Sequence, residues 1–260
     1  MSSAVSLGFT IGVFAVLTSC ALPLAVAAIG LDASQQSSGS ARAALRRGAV
    51  SGALAACAFL SVVLVAAGFE AAGAEISDHI PAVALLIALG VIALGARILT
   101  GRDGGGFDGG AYAIFGVCFG IVSLPGSLWL LQGVIELTAE ARGTGGAVAS
   151  AVLFAAGTFA ALIALALVAE LFGVLVRRLG GVGPVLAGAV AIAGGVASVL
   201  YWIPALVDGI EERGGAIGDA VTEVAGEIAY FAATYHVLFA LLLLAAALAA
   251  LLAQLRPARS

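Results

Sequence analysis

The sequence predicts an all-α integral membrane protein of about seven transmembrane helices, built as two inverted three-helix repeats followed by one C-terminal helix. Three observations predict it. Hydrophobic residues make up 62% of the 260 positions and charged residues 10%, where a soluble domain carries about a quarter charged. Such a chain lacks the polar surface to cover itself in water. The apolar residues also fall in long unbroken runs, not in the short alternating segments of a barrel, and hydrocarbon admits only helices and closed barrels because it cannot hydrogen-bond a bare backbone. Finally, Leu22-Pro23 and Leu124-Pro125 recur at matching places in two halves of the chain.

A helix needs roughly 20 apolar residues to span. Runs of that kind lie near 4–31, 44–69, 80–99, 111–135, 147–174, 183–207 and 229–254. The breaks between them are rich in glycine, serine and charge, as in Asp32 to Ser40, Gly101 to Gly110 and Ala141 to Gly146. The N-terminus lacks the positive region and cleavage site of a signal peptide, so the first run reads as a mature helix. The domain organisation that follows is a six-helix unit over 1–207, with repeats about 4–100 and 111–207, an outer loop over 208–228, and a seventh helix with a short tail over 229–260. In the loop, Ile217, Val221, Val224 and Ile228 recur at helical spacing with Asp219, Glu223 and Glu227 off that face. This fits either a short amphipathic helix in the outer interface or an ordinary structured loop.

Arginine placement sets the orientation, because short cytoplasmic loops retain positive charge. Arg42, Arg46, Arg47, Arg97, Arg102, Arg177, Arg178, Arg256 and Arg259 all fall on one side, and only Arg142 and Arg213 on the other. The opposite loops carry Glu70, Glu75, Asp78, Asp208, Glu211 and Glu212. The expectation is a prokaryotic plasma-membrane protein with its N-terminus outside and its C-terminus cytoplasmic. All 11 basic residues are arginine and the net charge is −4, which reads as base composition or a saline habitat. No basic cluster points to nucleic acid, and the partner the composition does imply is the lipid bilayer.

Three helices per repeat make the two copies opposite in topology, as in many transporters. Cys20-Ala21-Leu22-Pro23 in span one answers Val122-Ser123-Leu124-Pro125 in span four, and Ile92-Ala93-Leu94-Gly95 answers Ile192-Ala193-Gly194-Gly195. Each proline removes an intrahelical hydrogen bond and is expected to kink or open its helix. Two such breaks at matching depth point to a central site. Gly8 and Gly12, Gly48 and Gly52, and Gly116 and Gly120 form GxxxG pairs that suit close helix packing.

Ionisable groups within spans are few. Glu170 is expected to reach the interface from the inner end of span five, Glu136 lies at the outer end of span four, and His236 sits beside Tyr235 in span seven. Trp129, Tyr201 and Trp202 mark the interface or the bundle. No span carries the several carboxylates of a proton pump, no phosphate-binding loop is present, and no cofactor or metal is assigned.

Cys20, Cys57 and Cys118 all lie inside apolar runs, so they are not an extracellular disulfide framework. The stretch Thr18-Ser19-Cys20-Ala21-Leu22-Pro23-Leu24 resembles the first-helix motif of the CcdA family, the membrane thiol–disulfide carriers related to the transmembrane domain of DsbD. That helix typically reads Ser-Pro-Cys-x-x-Pro. The arginine-rich first inner loop and the Gly-rich third helix ending near Leu99 look similar too, and the resemblance covers roughly residues 4–205. It implies a carrier with one cysteine in the first helix and one in the fourth. Such a pair takes two electrons from cytoplasmic thioredoxin and passes them to extracytoplasmic thioredoxin-like proteins, often for cytochrome c maturation.

The sequence departs from the family pattern at two places. Ser19 replaces the proline before the first cysteine, and Val122 stands where the second cysteine is expected. Cys118, four residues before Val122, shares its helix face about 6 Å away; Cys57 lies midway along span two. Either Cys118 or Cys57 can stand in for the missing cysteine; Cys20 and Cys118 are the candidate exchange residues, with Ser19, Pro23, Val122 and Pro125 at the helix breaks lining the site. Free cysteine is otherwise a small buried hydrophobe. Two further readings need no redox chemistry: a small-solute or ion transporter with the same repeats, or a redox-silent assembly subunit.

Overall fold

The computed structural model describes residues 2–18, 20–34, 41–73, 79–101, 109–207 and Glu223. Ser19, the remainder of the outer loop, and the seventh run with Tyr235 and His236 lie outside the described residues. Regular structure among the described residues is helical: α1 (Ser2–Val16), α2 (Leu22–Ser34), α3 (Ala41–Ala71), α4 (Ile80–Leu99), α5 (Gly109–Arg178) and α6 (Gly183–Val207), with a 3-10 turn at Gly180–Val182 leading into α6. Among the described residues four stretches are long and apolar enough to cross a membrane, namely Arg46–Ala71, Ile80–Leu99, Tyr112–Val176 and Gly180–Val207.

As one straight rod, the 70 residues of α5 would reach about 105 Å, several times the thickness of a bilayer core. They do not form one. Gly143 has φ 67 and ψ −165 inside the element, a conformation essentially reserved for glycine. It divides α5 into limbs 109–142 and 144–178, so the break falls inside the Ala141–Gly146 segment that composition marks. Both limbs pack on α3: Gly116 meets Ala55, and Gly52 meets Ile163. Gly143→Ala is expected to cost about 1–3 kcal/mol, while Gly145→Ala, where an added methyl meets open space, should cost far less. Chemical unfolding of the two purified variants checks this.

The first apolar run is two helices, not the single helix expected over 4–31. α1 stops at Val16 and α2 starts at Leu22. In between, the Leu17 amide bonds the Phe14 carbonyl, and the Ala21 and Leu22 amides both bond the Thr18 carbonyl, each at 2.9 Å. Pro23 therefore sits in the first turn of α2, where its missing N–H has no helical partner to lose. Pro125 instead lies inside the helical first limb of α5. The two prolines thus differ locally: one begins a helix after an interruption, the other is absorbed into a helix. α2 also runs on through Ser34, so Asp32 belongs to the bundle and not to the loop that the sequence suggested.

α1 lies along the 144–178 limb, α3 along both limbs, and α2 and α4 along α6. Each of the three GxxxG pairs sits at one of these contacts. The tightest is the crossing of α1 with the second limb, where a methyl added at Gly12 would lie 2.0 Å from the Phe154 carbonyl oxygen and one at Gly157 would lie 2.1 Å from that of Phe9. The alternation of helix direction gathers Asp32, Arg46, Arg47, Arg97, Tyr112 and Glu170 at one end of the bundle. Glu70, Gln132, Glu136 and Arg142 lie at the other, where the Gln132 amide donates to Glu70 at 3.1 Å. The main core runs between them and includes Val16, Leu24, Phe59, Phe119, Phe154 and Trp202.

Candidate functional site

Two polar features interrupt this core: the break between α1 and α2, and a cavity at the arginine-rich end. At the break, the Ala15 carbonyl lies in the last turn of α1. Two hydroxyls satisfy it, Ser127 Oγ from α5 at 3.3 Å and Thr18 Oγ1 at 3.4 Å, which is how a membrane bundle tolerates an interrupted helix. The Cys20 thiol donates to Thr18 Oγ1 at 3.2 Å and is 3% exposed. Gly126 lets α5 approach closely, since a Cβ there would lie 2.7 Å from the Thr18 methyl. Gly194 of α6 meets Pro23 and Ala27, so Ser198 and Trp202, one and two turns further on, approach the level of the break. Ser198 Oγ and Trp202 Nε1 are both buried and have no hydrogen-bond partner among the described residues.

The sequence-predicted site residues divide into two groups. Cys20, Pro23 and Val122 are buried at or near the break, and Pro125 is half-buried beside Gly126. Cys118 is half-buried and Cys57 exposed, and no disulfide joins any of the three cysteines. The register explains the separation. Thr18 lies against Gly126 and Asp32 bonds Tyr112, so α2 runs antiparallel to the first limb of α5 with Cys20 level with Leu124. Cys118 is then about 9 Å nearer the Asp32 end, beyond the roughly 7 Å Cα separation a disulfide allows. Cys57 shares the depth of Cys118, because Ala55 packs on Gly116. Each of these cysteines, however, is two residues on from that contact, about 200° around its helix, and so turned away from it.

The second feature was not legible as a site. A partly open cavity of about 40 Å³ lies between α2, α3 and the two limbs of α5. Its polar lining is Asp32, Ser51 and Tyr112, and the rest is apolar, including Ile29, Phe115 and Leu165. The Tyr112 hydroxyl donates to Asp32 Oδ1. Ser51 Oγ donates to the carbonyls of Arg47 at 2.8 Å and Gly48 at 3.2 Å. Beside it, Arg47 Nε donates to Glu170 Oε1 at 3.4 Å. Glu170 is 2% exposed, so it does not reach the interface as the sequence suggested; it turns inward to an arginine 123 residues away in the chain. The available signal was a lone acid inside an apolar run, which in hydrocarbon calls for a partner.

Comparison of the chain with protein-family models, with curated proteins and with solved structures finds no match. The fold itself defines the class: a helical protein of the lipid bilayer. Only 17% of the most apolar window of α4 is buried, and Leu64, Leu86, Val152 and Leu171 lie exposed on the outer surface of the bundle. Helices this apolar, with this much outward apolar surface, fit hydrocarbon and not water.

Proposed function

We propose that the protein is a membrane thiol–disulfide electron carrier resembling the CcdA family. It would move reducing equivalents from cytoplasmic thioredoxin to extracytoplasmic thioredoxin-like proteins, with cytochrome c maturation as the process served. One observation carries the reading: Cys20, in Cys-x-x-Pro order, sits in the interruption between α1 and α2 beside the N-terminus of α2. The thiolate of such a cysteine is the species that attacks a disulfide. In the exchange, the Cys20 thiolate attacks the partner's disulfide and forms a mixed disulfide. Cys118, losing its proton, then attacks the Cys20 sulfur, so that the partner leaves as a dithiol and the carrier holds two fewer electrons. Closing the offset of about 9 Å requires the bundle to move, and the break between α1 and α2, with Leu17, Thr18, Cys20 and Ala21 outside regular helix, is where it can. The arginine-bearing end is taken as cytoplasmic, and the two halves as inverted repeats with a seventh helix added.

Free-thiol counting with a maleimide–polyethylene glycol gel shift in native membranes tests this. Mild oxidant should protect two thiols, reductant should release both, and Cys20→Ser should leave Cys118 labelled throughout. Three thiols that stay labelled under oxidant would end the redox reading.

A second reading, a small-solute or ion transporter, is favoured by the cavity at Asp32, since an ionisable group buried in a membrane bundle commonly marks a solute or ion path. Uptake into vesicles separates the two, because transport would survive Cys20→Ser.

A further inference from the structure

We propose that the cavity beside Asp32 is a binding site for a small alkylammonium ion. Size comes first. A single water needs roughly 10–15 Å³ measured in the same way, so a cavity of about 40 Å³ holds a ligand of about three or four non-hydrogen atoms. Charge comes second. Among the described residues lining the cavity, Asp32 alone carries a formal charge, and it is 7% exposed. A carboxylate offers about four lone-pair sites, so a ligand N–H can join the Tyr112 hydroxyl on it. Ser51 donates its own proton to the backbone and so presents its oxygen as an acceptor. The end of the cavity thus offers acceptors to a cation, and the rings of Tyr112 and Phe115 add faces that attract one.

The remaining wall decides between kinds of cation. It is alkyl throughout, from Ala28 and Ile29 on α2 to Leu162, Leu165 and Ala169 on α5. A bare divalent cation takes about six oxygens, and among the described residues no three carboxylate, histidine or cysteine side chains converge to supply them. An ammonium head on a short alkyl tail matches both ends. Pockets of this composition, mostly apolar with a few convergent polar groups, are the usual form of small-molecule sites.

The site stands without the thiol reading, and it gives the transport reading its substrate class. Binding is measured separately from transport: vesicles that fail to accumulate ethylammonium would remove transport and leave the site. The full chain in lipid nanodiscs is titrated with ethylammonium chloride by saturation-transfer NMR, with ethanol as the neutral counterpart of equal size. Ethylammonium should saturate in about the millimolar range and bind at least about tenfold more tightly than ethanol. Asp32→Asn should abolish that preference while leaving ethanol unchanged, Ala28→Leu should fill the space and remove both, and Cys20→Ser should change neither. Equal binding of the two ligands overturns the proposal, as does displacement of ethylammonium by equimolar sodium, or an unaltered titration in Asp32→Asn. Should Asp32→Asn fail to fold, Ala28→Leu decides: undiminished ethylammonium binding there places the ligand elsewhere.

Discussion

Gly12→Ala is expected to destabilise the protein by about 3 kcal/mol, the upper end of what overpacking costs, and Gly157→Ala by as much. The reason is what each methyl would strike. At both positions the obstruction is a backbone carbonyl, 2.0 Å from the Gly12 Cβ position and 2.1 Å from that of Gly157, and no rotamer change removes a carbonyl. α1 and the second limb of α5 must separate along their whole line of contact, and the dispersion attraction between two closely fitted helices weakens steeply as a gap opens. The parting also draws Thr158 Oγ1 away from the Gly12 carbonyl it reaches at 3.0 Å. Gly68→Ala and Gly90→Ala are the controls. An added methyl there meets nothing within 4 Å, and alanine outranks glycine in a helix by about 1 kcal/mol, so both should be neutral or mildly stabilising. Denaturant unfolding in nanodiscs separates the pairs. Equal stability of Gly12→Ala and Gly90→Ala would mean that α1 does not cross the second limb at this point.

The glycine pairs show what local pattern makes legible. Gly8 and Gly12, Gly48 and Gly52, and Gly116 and Gly120 are readable because close packing demands small residues at fixed helical spacing, and the structure places each pair at a helix contact. The break at Gly143 was readable for a similar reason: glycine, threonine and charge cluster where the chain must turn. The prolines were half readable. Pro23 and Pro125 share a dipeptide, but what a proline does depends on whether the preceding turn is already helical. At Pro23 it is not, and at Pro125 it is. Nothing local in the chain records that difference; the Ser127 and Thr18 hydroxyls that make the first interruption tolerable come partly from another helix.

The polar cavity was illegible for a different reason. Asp32 is the last acid before a serine- and glutamine-rich segment, so composition assigned it to a loop, although it lies two residues short of the end of α2. Its partner Tyr112 is 80 residues away. Its three polar residues come singly from α2, α3 and the first limb of α5, so they leave no period in the sequence. Only the bundle brings them to one depth, and the register that does so is the one that separates Cys20 from Cys118.

Arg47→Ala is expected to cost about 2–3 kcal/mol, and the double variant Arg47→Ala with Glu170→Gln distinctly less than the single variants together. Removing one member of a buried ion pair costs about 3–5 kcal/mol because the other charge stays desolvated; here the figure is reduced because the Arg47 side chain is 39% exposed and water screens it. Glu170 at 2% exposed has no such relief. Local packing holds it in place: its Cγ sits 3.1 Å from where a Gly48 Cβ would be, so the glycine that admits the second limb of α5 also admits the carboxylate. Glutamine at 170 keeps that shape and removes the charge, so the double variant loses the pair without stranding either member. A double-mutant cycle by chemical unfolding should then return a coupling of at least about 1 kcal/mol. A coupling near zero would mean that the contact at 3.4 Å is incidental and that Glu170 is held by its other surroundings.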